Sequence, residues 1–146
     1  MFLLDTDHFT IIQQQTEPQC SRLAQRMNQF TPLVFYVSVV SFHEQVLGWN
    51  AYLNRARGTA GTVRAYHMFE RILADFAAAQ VLPFDQRSAH GFDSLRAGKV
   101  RIGTFDLRIA AIALSRGFTI LSRNIVDFRK VPSLKAEDWT LMPSVR

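Results

Sequence analysis

The segment Phe2-Leu3-Leu4-Asp5-Thr6-Asp7 begins with a short apolar run that ends at a carboxylate, Asp5. A run of this kind directly after the start Met predicts a fully buried strand. In open α/β sheets, ligands bind at the carboxyl ends of the strands, so such a strand would deliver Asp5 to a functional site. The alternative is purely structural, since Asp often forms an Asx-turn or caps a helix at this position.

The length and composition are those of one folded domain. The chain has 146 residues, of which 48% are hydrophobic and 20% charged, so we expect a single domain over residues 1–146 with a sizeable core. The one cysteine, Cys20, cannot form an internal disulfide, which suits a reducing cytoplasm. The apolar run at the N-terminus is interrupted by Asp5 and is too short for a signal peptide or a membrane span. We therefore expect a cytoplasmic protein without a membrane partner.

The charge balance bears on the kind of partner. The net charge is +5, with 17 Lys and Arg against 12 Asp and Glu. Such a balance favours a polyanionic partner such as nucleic acid. A basic surface kept for solubility, or one that meets an acidic protein segment, would explain the same charge.

Strand-like and helix-like patterns alternate along the chain, which predicts an α/β domain with a mostly parallel central sheet flanked by helices. Strands are predicted at residues 2–4, 33–37, 81–84 and 118–121, with a last edge strand at 139–142. Helices are predicted at residues 7–13, 18–30, 42–57, 63–76, 86–96 and 104–114. The third and fourth helices follow each other without a strand between them, so we expect an inserted helical hairpin. Pro83 places its strand at an edge or a strand end.

Capping residues mark several helix ends. We expect Asp85 and Thr104 as N-caps and Gly117 as a C-terminal stop. Ser41 and Glu44 have the S-x-x-E spacing of a capping box, so capping alone could explain Glu44.

Three carboxylates occupy comparable places in this pattern. Asp5 ends the first strand, Glu44 lies in the helix after the second, and Asp106 opens the helix that follows a Gly-and-basic loop. Asn124 and Asp127 follow a later strand, so all five belong to one edge of the sheet and could converge on one crevice. Several anions so close together repel one another unless a cation intervenes. Hard oxygen ligands suit Mg²⁺ or Mn²⁺. The histidines show no zinc-site spacing, and we expect them to be surface or partly buried residues; they are His8, His43, His67 and His90.

Four motifs in this order carry a resemblance to a known family. They are MFLLDTD at residues 1–7, SVVSFHE at 38–44, IGTFDLRIAA at 102–111 and LSRNIVDF at 121–128. Together they resemble the PIN-domain ribonucleases, and among these the VapC toxins of bacterial toxin–antitoxin pairs. The resemblance covers nearly the whole chain, and four motifs in order are a specific signal where one would be weak.

The resemblance implies a Mg²⁺- or Mn²⁺-dependent endoribonuclease that hydrolyses RNA phosphodiester bonds. It also implies a homodimer, silenced by a small antitoxin whose C-terminal tail blocks the cleft. By the family pattern, Asp5, Glu44 and Asp106 are the catalytic acids that hold the metal. The fourth catalytic position falls on Asn124, where many relatives have Asp, and its neutral amide leaves open whether a second metal binds.

Other residues near these motifs have weaker assignments. Asp127 either shares the role of Asn124 or caps the next turn, and we favour capping. Asp7 lies beyond the acids of the family pattern, and we expect it to cap its helix. Thr6 is a candidate substrate-binding residue near the metal, although a structural turn explains it equally well.

Basic residues supply the remaining candidate contacts to RNA. Arg123, with Lys99 and Arg101 from the Gly-and-basic loop, could contact the phosphate backbone. RNA choice would come from exposed single-stranded or loop bases, and no residue here encodes which ones. The aromatic residues Tyr66 and Phe69 are our candidates for a surface that binds a second copy or the antitoxin.

Two alternatives remain open at this point. Asp5-Thr6-Asp7 resembles the D-x-D opening of haloacid-dehalogenase-type phosphatases, in which the first Asp is a covalent nucleophile. That family usually has Thr or Val where this chain has Phe9, and it adds a Lys that Lys99 matches poorly. The other alternative is a non-catalytic PIN fold that binds RNA or a partner protein, against which the intact acidic trio argues.

Overall fold

The fold is known from a computed structural model that describes residues 1–144. The predicted domain of residues 1–146 extends two residues beyond this range. The strands are β1 (Phe2–Leu4), β2 (Phe35–Ser38), β3 (Val81–Leu82), β4 (Thr119–Leu121) and β5 (Ala136–Glu137). The helices are α1 (Thr6–Gln14), α2 (Gln19–Met27), α3 (Val39–Arg55), α4 (Thr59–Ala78), α5 (Gln86–Ala97), α6 (Thr104–Arg116) and α7 (Ile125–Phe128), with a 3₁₀ helix at Pro32–Val34.

The strands form one parallel sheet in the order β3-β2-β1-β4-β5. This confirms the predicted α/β class, and β3 lies at an edge as Pro83 indicates. β1 is central, with β2 on one side and β4 on the other, so the strand order reverses there. Ligands bind at such a switch point, outside the carboxyl ends of the strands. Asp5 follows β1 directly.

Two apolar cores cover the two faces of the sheet. Successive residues of a strand point to opposite faces, and Leu3 of β1 packs in one core while Leu4 packs in the other. Ile120 and Leu121 of β4 divide in the same way. Helix α6 has apolar residues on several sides, and six of them are buried. The side chains at the carboxyl edge therefore follow strands that are packed on both faces of the sheet.

Two predicted strands are misplaced. The predicted strand at residues 33–37 begins only at Phe35, because the Thr31 side chain accepts the Leu33 N–H at 3.2 Å and starts the 3₁₀ turn. The predicted strand at 139–142 is wrong, since β5 pairs with β4 through Ala136 and Glu137. Trp139 instead lies in the second core with only 2% of its surface exposed.

The predicted helical hairpin is present as α3 packed against α4. Gly58, with a φ of 85°, turns the chain between the two helices, a conformation that suits glycine. The inner face of α4 buries Ile72 and Phe76, whereas Tyr66 is 57% exposed. Within residues 1–144, no helix combines the length and apolar character needed to cross a membrane.

The helix caps are partly as predicted. Asp85 accepts the Ser88 N–H at 3.0 Å, and Gly117 ends α6 with a left-handed φ of 67°. Thr104 is not an N-cap, since Gly103 occupies that position without a side-chain bond. The N-cap of α3 is Ser38, so the capping box predicted from Ser41 does not form.

Candidate active site

Asp5 lies at the carboxyl end of β1 and caps helix α1. Its Oδ1 accepts the Thr6 N–H at 2.8 Å, and its Oδ2 accepts the Ser122 hydroxyl at 2.7 Å. Only 5% of its surface is exposed. Burial raises the pKa of Asp5 from its ordinary 3.8 to about 7, and the charge of Asp7 adds to the rise while the two hydrogen bonds oppose it. Asp5 is therefore both the N-cap of α1 and a candidate site residue, so the structural and the functional interpretation of its position hold together.

Glu44 reaches across from α3 towards the start of α1. Its Oε1 accepts the Thr6 hydroxyl at 2.7 Å, and that hydroxyl lies 2.9 Å from the buried Ser41 hydroxyl. Glu44 therefore does not close a capping box but contacts the residue that follows Asp5. Burial raises its pKa, and the charge of Asp106 adds to the rise.

Asp106 lies in the first turn of α6 and is tied to Asn124. The Asn124 amide donates to Asp106 Oδ2 at 2.9 Å and to Asp127 Oδ2 at 3.0 Å. Burial raises the pKa of Asp106, the Asn124 bond opposes the rise, and the charges of Asp127 and Asp7 add to it. Asp127 makes no capping bond to α7, whose N-cap is Asn124, and instead accepts the Asn124 amide and the Lys130 ammonium. The capping role predicted for Asp127 is therefore wrong.

One cavity joins the acids that the sequence places far apart. Its volume is about 520 Å³, and its lining includes Asp5, Thr6, Glu44, Asp106, Arg123 and Asn124. The acids come from three different elements, the β1–α1 junction, α3 and α6. The structure thus brings together the predicted trio, with Asn124, at the carboxyl edge of the sheet.

Asp7 and His8 differ from what the sequence suggested. Asp7 does not cap α1, because its Oδ2 accepts the Arg123 N–H at 2.9 Å from the turn after β4. His8, expected at the surface or partly buried, is fully buried, with its Nδ1 2.8 Å from Asp7 Oδ1. The Trp139 N–H donates to the other ring nitrogen of His8 at 3.2 Å.

Three of the four predicted substrate-binding residues line two cavities, and the fourth, Lys99, is in the lining of neither. Thr6 and Arg123 line the cavity of the acids. Arg101 lines a neighbouring cavity of about 680 Å³, which Asp127 also lines. Lys99 lies in the loop before Arg101 with a left-handed φ of 60°.

Sequence reasoning missed Ser122, Asp7 and His8 as parts of this site. Ser122 follows β4 as Asp5 follows β1, and the register pairs Leu4 with Leu121, so the two residues after these strands lie side by side. The sequence signal that could have suggested Ser122 is its position directly after the predicted strand that ends at Leu121, which matches the position of Asp5 after Leu4. No sequence signal pairs Asp7 with the Arg123 N–H, which lies 116 residues away.

The donor set of the cavity fits a hard divalent cation. Among residues 1–144, no group of three or more acidic, His or Cys side chains is already close enough to hold a metal. The acids nonetheless share one cavity, and burial raises the pKa of each member of the trio. Each carboxylate keeps lone pairs for coordination beside its hydrogen bonds. Carboxylate oxygens, with no thiolate in the set, suit Mg²⁺ or Mn²⁺.

Comparisons with known proteins agree with the motifs. No protein-family model matches the chain. Over 64 residues it is 34% identical to the tRNA(fMet)-specific endonuclease VapC of Salmonella typhimurium, covering 41% of this chain and 48% of that protein. Over 104 residues it is 24% identical to Ribonuclease VapC1 of Rickettsia felis, covering 68% of this chain and 72% of that one. The chain thus spans about half the length of the first relative.

Solved structures show the same fold. In the structure of VapBC-1 from nontypeable Haemophilus influenzae, a chain matches with a TM-score of 0.72 and 21% identity, covering 96% of this chain and 98% of that one. The match shows a shared fold and defines the class of this chain as an α/β domain like the matching chain of the VapBC-1 structure. Within that class, the sequence relatives and the solved complex confirm the predicted resemblance to VapC proteins.

Proposed function

We propose that this chain is a Mg²⁺- or Mn²⁺-dependent endoribonuclease and the toxin of a toxin–antitoxin pair. The observation that carries the proposal is the cavity in which Asp5, Glu44 and Asp106 meet at the switch point of the sheet. Three buried or half-buried carboxylates with raised pKa values destabilise the metal-free site, and a divalent cation would relieve that repulsion. The names of the sequence relatives support RNA as the substrate.

The chain's own residues would hold and orient the reacting groups. Asp5, Glu44 and Asp106 would hold the cation. When bound, such an ion polarises the scissile phosphodiester and makes water a stronger nucleophile at neutral pH. The Thr6 hydroxyl orients Glu44 by donating a hydrogen bond to it. The side-chain amide of Asn124 orients Asp106 by donating a hydrogen bond of 2.9 Å. We therefore propose that Asn124 positions Asp106. The hydrogen bonds that its side-chain amide donates to Asp106 and Asp127 support that role.

Basic residues at the rim would bind the RNA backbone. Arg123 lines the cavity of the acids, and Arg101 lines the neighbouring one. The net charge of +5 supports attraction of a polyanion despite the acids in the cleft. Because the Salmonella relative is named for tRNA(fMet), initiator tRNA is the first RNA to test.

We also propose a cognate antitoxin, a homodimer and a cytoplasmic location. Solved relatives with this fold are complexes of the VapBC type, which supports a partner protein. Tyr66 is exposed and its ring lies 5.9 Å from that of Phe69, so this pair stays our candidate for a protein-binding surface. Cys20 is a free thiol, which suits the cytoplasm.

The surroundings of Phe9 support a nuclease over a D-x-D phosphatase. Phe9 occupies the position where that family usually has Thr or Val near the reacting groups. Here the Phe9 ring is buried and packs at 4.9 Å against the ring of Phe76. Asp7, the second Asp of the pattern, is held by the Arg123 N–H and by His8.

The test compares RNA cleavage by the wild-type protein, purified free of any antitoxin, with cleavage by Asp5→Asn. Asn keeps the helix cap but removes the charge. We expect discrete cuts in initiator tRNA with Mg²⁺ or Mn²⁺, no cuts in EDTA, and no cuts by the variant. Asp93→Asn, which changes an exposed acid on α5, is the matched control and should cut normally.

The other outcomes separate the alternatives. Cleavage by the purified protein that is unchanged both in EDTA and in Asp5→Asn would show that the cavity of the acids and its cation do not carry the activity. A folded protein that binds RNA equally with and without metal, and cuts none of a panel of structured RNAs, would be a binding module. Either result would overturn the proposal.

A further inference from the structure

A chain of hydrogen bonds runs from the C-terminal segment to the acids of the cleft. It starts at the Trp139 N–H, which donates to His8 Nε2 at 3.2 Å. His8 Nδ1 lies 2.8 Å from Asp7 Oδ1, and Asp7 Oδ2 accepts the Arg123 N–H at 2.9 Å. The Ser122 hydroxyl lies 3.4 Å from the same Asp7 oxygen and donates to Asp5 at 2.7 Å.

The partners of His8 define one tautomer of its ring. The ring is fully buried, and its Nε2 must accept because a backbone N–H points at it. The proton of the neutral ring is then on Nδ1, where it donates to Asp7. Asp138 Oδ1, at 3.8 Å from Nε2, is too far for a hydrogen bond. His8 thus fixes one oxygen of Asp7 while the turn after β4 engages the other.

That turn orients two acids of the site. Ser122 is fully buried, donates to Asp5, and accepts the Asn124 N–H at 3.0 Å. Asn124 in turn donates to Asp106 at 2.9 Å. A shift of the turn would therefore displace the partners of both acids together.

We propose that Asp7 and His8 are positioning residues, which hold the turn after β4 where its side chains orient the acids of the cleft. This role rests on the proposed nuclease function, since the acids that the two residues position are those of the proposed metal site. Asp7 itself lines the cavity of the acids, whereas His8 is fully buried outside the cavity lining and acts only through Asp7. Groups that orient metal ligands typically affect metal affinity or activity about 10- to 100-fold when they are changed.

Substitutions at Asp7 separate geometry from charge. Asp7→Glu keeps the negative charge but moves the carboxylate by one methylene, away from both partners. Asp7→Asn keeps the shape but turns an acceptor into a donor, which must face either the Arg123 N–H or the His8 Nδ1–H. If Asp7 acts only through its charge, Asp7→Glu behaves as wild type. If it acts by position, both variants are impaired.

Substitutions at His8 leave the charge of the site unchanged. His8→Asn can still donate to Asp7, whereas His8→Ala removes the donor. We expect His8→Asn to keep most of the function that His8→Ala loses. His67→Ala on α4, where the His67 side chain is 63% exposed, is the matched control.

Three measurements on the full chain test the proposal. Hydrogen exchange reports protection of the Arg123 amide without any metal. Titration with Mn²⁺, followed by water proton relaxation, gives metal affinity without RNA. Cleavage kinetics separate kcat from KM. For Asp7→Glu and His8→Ala we expect loss of Arg123 protection, about 10- to 100-fold weaker Mn²⁺ binding, and a lower kcat at nearly unchanged KM.

The outcomes distinguish this proposal from the nuclease proposal. If Asp7→Glu and His8→Ala keep wild-type Arg123 protection and Mn²⁺ affinity, the positioning role is refuted whether or not the protein cuts RNA. If both properties fall while even the wild-type protein cuts no RNA, the positioning role stands and the nuclease proposal fails. Ring ¹⁵N spectra that show the Nε2–H tautomer of His8 would also refute the arrangement.

Discussion

The two ends of the same strands are built on opposite principles. At their amino ends, Phe2 of β1 and Phe35 of β2 stack with ring centroids 5.5 Å apart, and Trp139 packs 4.8 Å from Phe2. At their carboxyl ends, β1 is followed by Asp5 and β4 by Ser122, within hydrogen-bond distance of each other. One end of the sheet is an aromatic cluster and the other is an acidic cleft.

The comparison shows where the chain gains stability and where it gives stability up. Aromatic pairs contribute about 0.5–1.5 kcal/mol each beyond the burial of their surface. The acids at the other end have raised pKa values, so their charged forms are less stable in the folded protein than in the unfolded chain. The amino end therefore stabilises the sheet, whereas the carboxyl end gives up stability in holding its acids together.

The sharpest way to separate the two ends is to remove one acid without disturbing the fold. In Glu44→Gln we expect proposed RNA cleavage to fall at least about a thousand-fold, which is about 4 kcal/mol of transition-state stabilisation. The melting temperature should stay level or rise, because a repelled carboxylate has gone. Cleavage assays and thermal melts check both. Glu70→Gln on α4, where the Glu70 side chain is 79% exposed, should change neither.

The complementary substitution disrupts the aromatic cluster at the amino ends of the strands and leaves the acids in place. Trp139→Ala should lower the free energy of unfolding by about 3 kcal/mol, since Trp139 is nearly fully buried and its loss leaves a cavity. Urea denaturation measures the change. Phe84→Ala, at a side chain 36% exposed, should cost clearly less. Equal losses in the two variants would contradict the view that the cluster around Trp139 stabilises the sheet.

Stability as a function of pH should show the cost of the acidic end directly. Asp5 has a pKa of about 7 when folded against an ordinary 3.8, so between these pH values the folded protein binds more protons than the unfolded chain. Its stability in EDTA should therefore fall as the pH rises from about 4 to about 7. In Asp5→Asn the fall should be shallower, with a gain at pH 7.5 of the order of 1–3 kcal/mol.

A divalent cation should reverse the difference in stability between the wild type and Asp5→Asn. Because a ligand that binds only the folded state stabilises it, Mg²⁺ or Mn²⁺ at pH 7.5 should raise the melting temperature of the wild type more than that of Asp5→Asn. An equal effect on both proteins would show that Asp5 does not hold the cation. A stability difference between the wild type and Asp5→Asn that stays constant from pH 4 to pH 7 in EDTA would contradict the raised pKa of Asp5.

The smallest effect is expected at the rim of the cleft. Arg123→Ala should weaken RNA binding by a few fold and reduce the slope of log affinity against log salt by about one. Its backbone N–H still donates to Asp7, so the metal site should be intact. Filter binding at several salt concentrations measures the slope. Arg55→Ala, at an exposed position near the end of α3, is the control.

The sequence predicted the parts of this molecule that depend on local pattern. The run before Asp5 predicted β1, Gly117 predicted the end of α6, and Pro83 predicted the edge position of β3. The trio was identified because each acid follows a strand or opens a helix in a parallel sheet. The sequence left a capping role open for Glu44, because residue spacing alone does not show whether Ser38 or Ser41 is the N-cap of α3.

Local sequence pattern is enough to predict which residue types lie at the edge of the sheet, because periodicity and helix caps depend on a few neighbouring residues. Which of these residues contact one another depends on how distant segments pack together. Asp7 is paired with the turn after β4, and His8 is paired with Trp139, 131 residues further along the chain. Such bonds depend on the register of β1 against β4 and of β4 against β5. The packing of both faces of the sheet sets that register, and no short stretch of sequence encodes it.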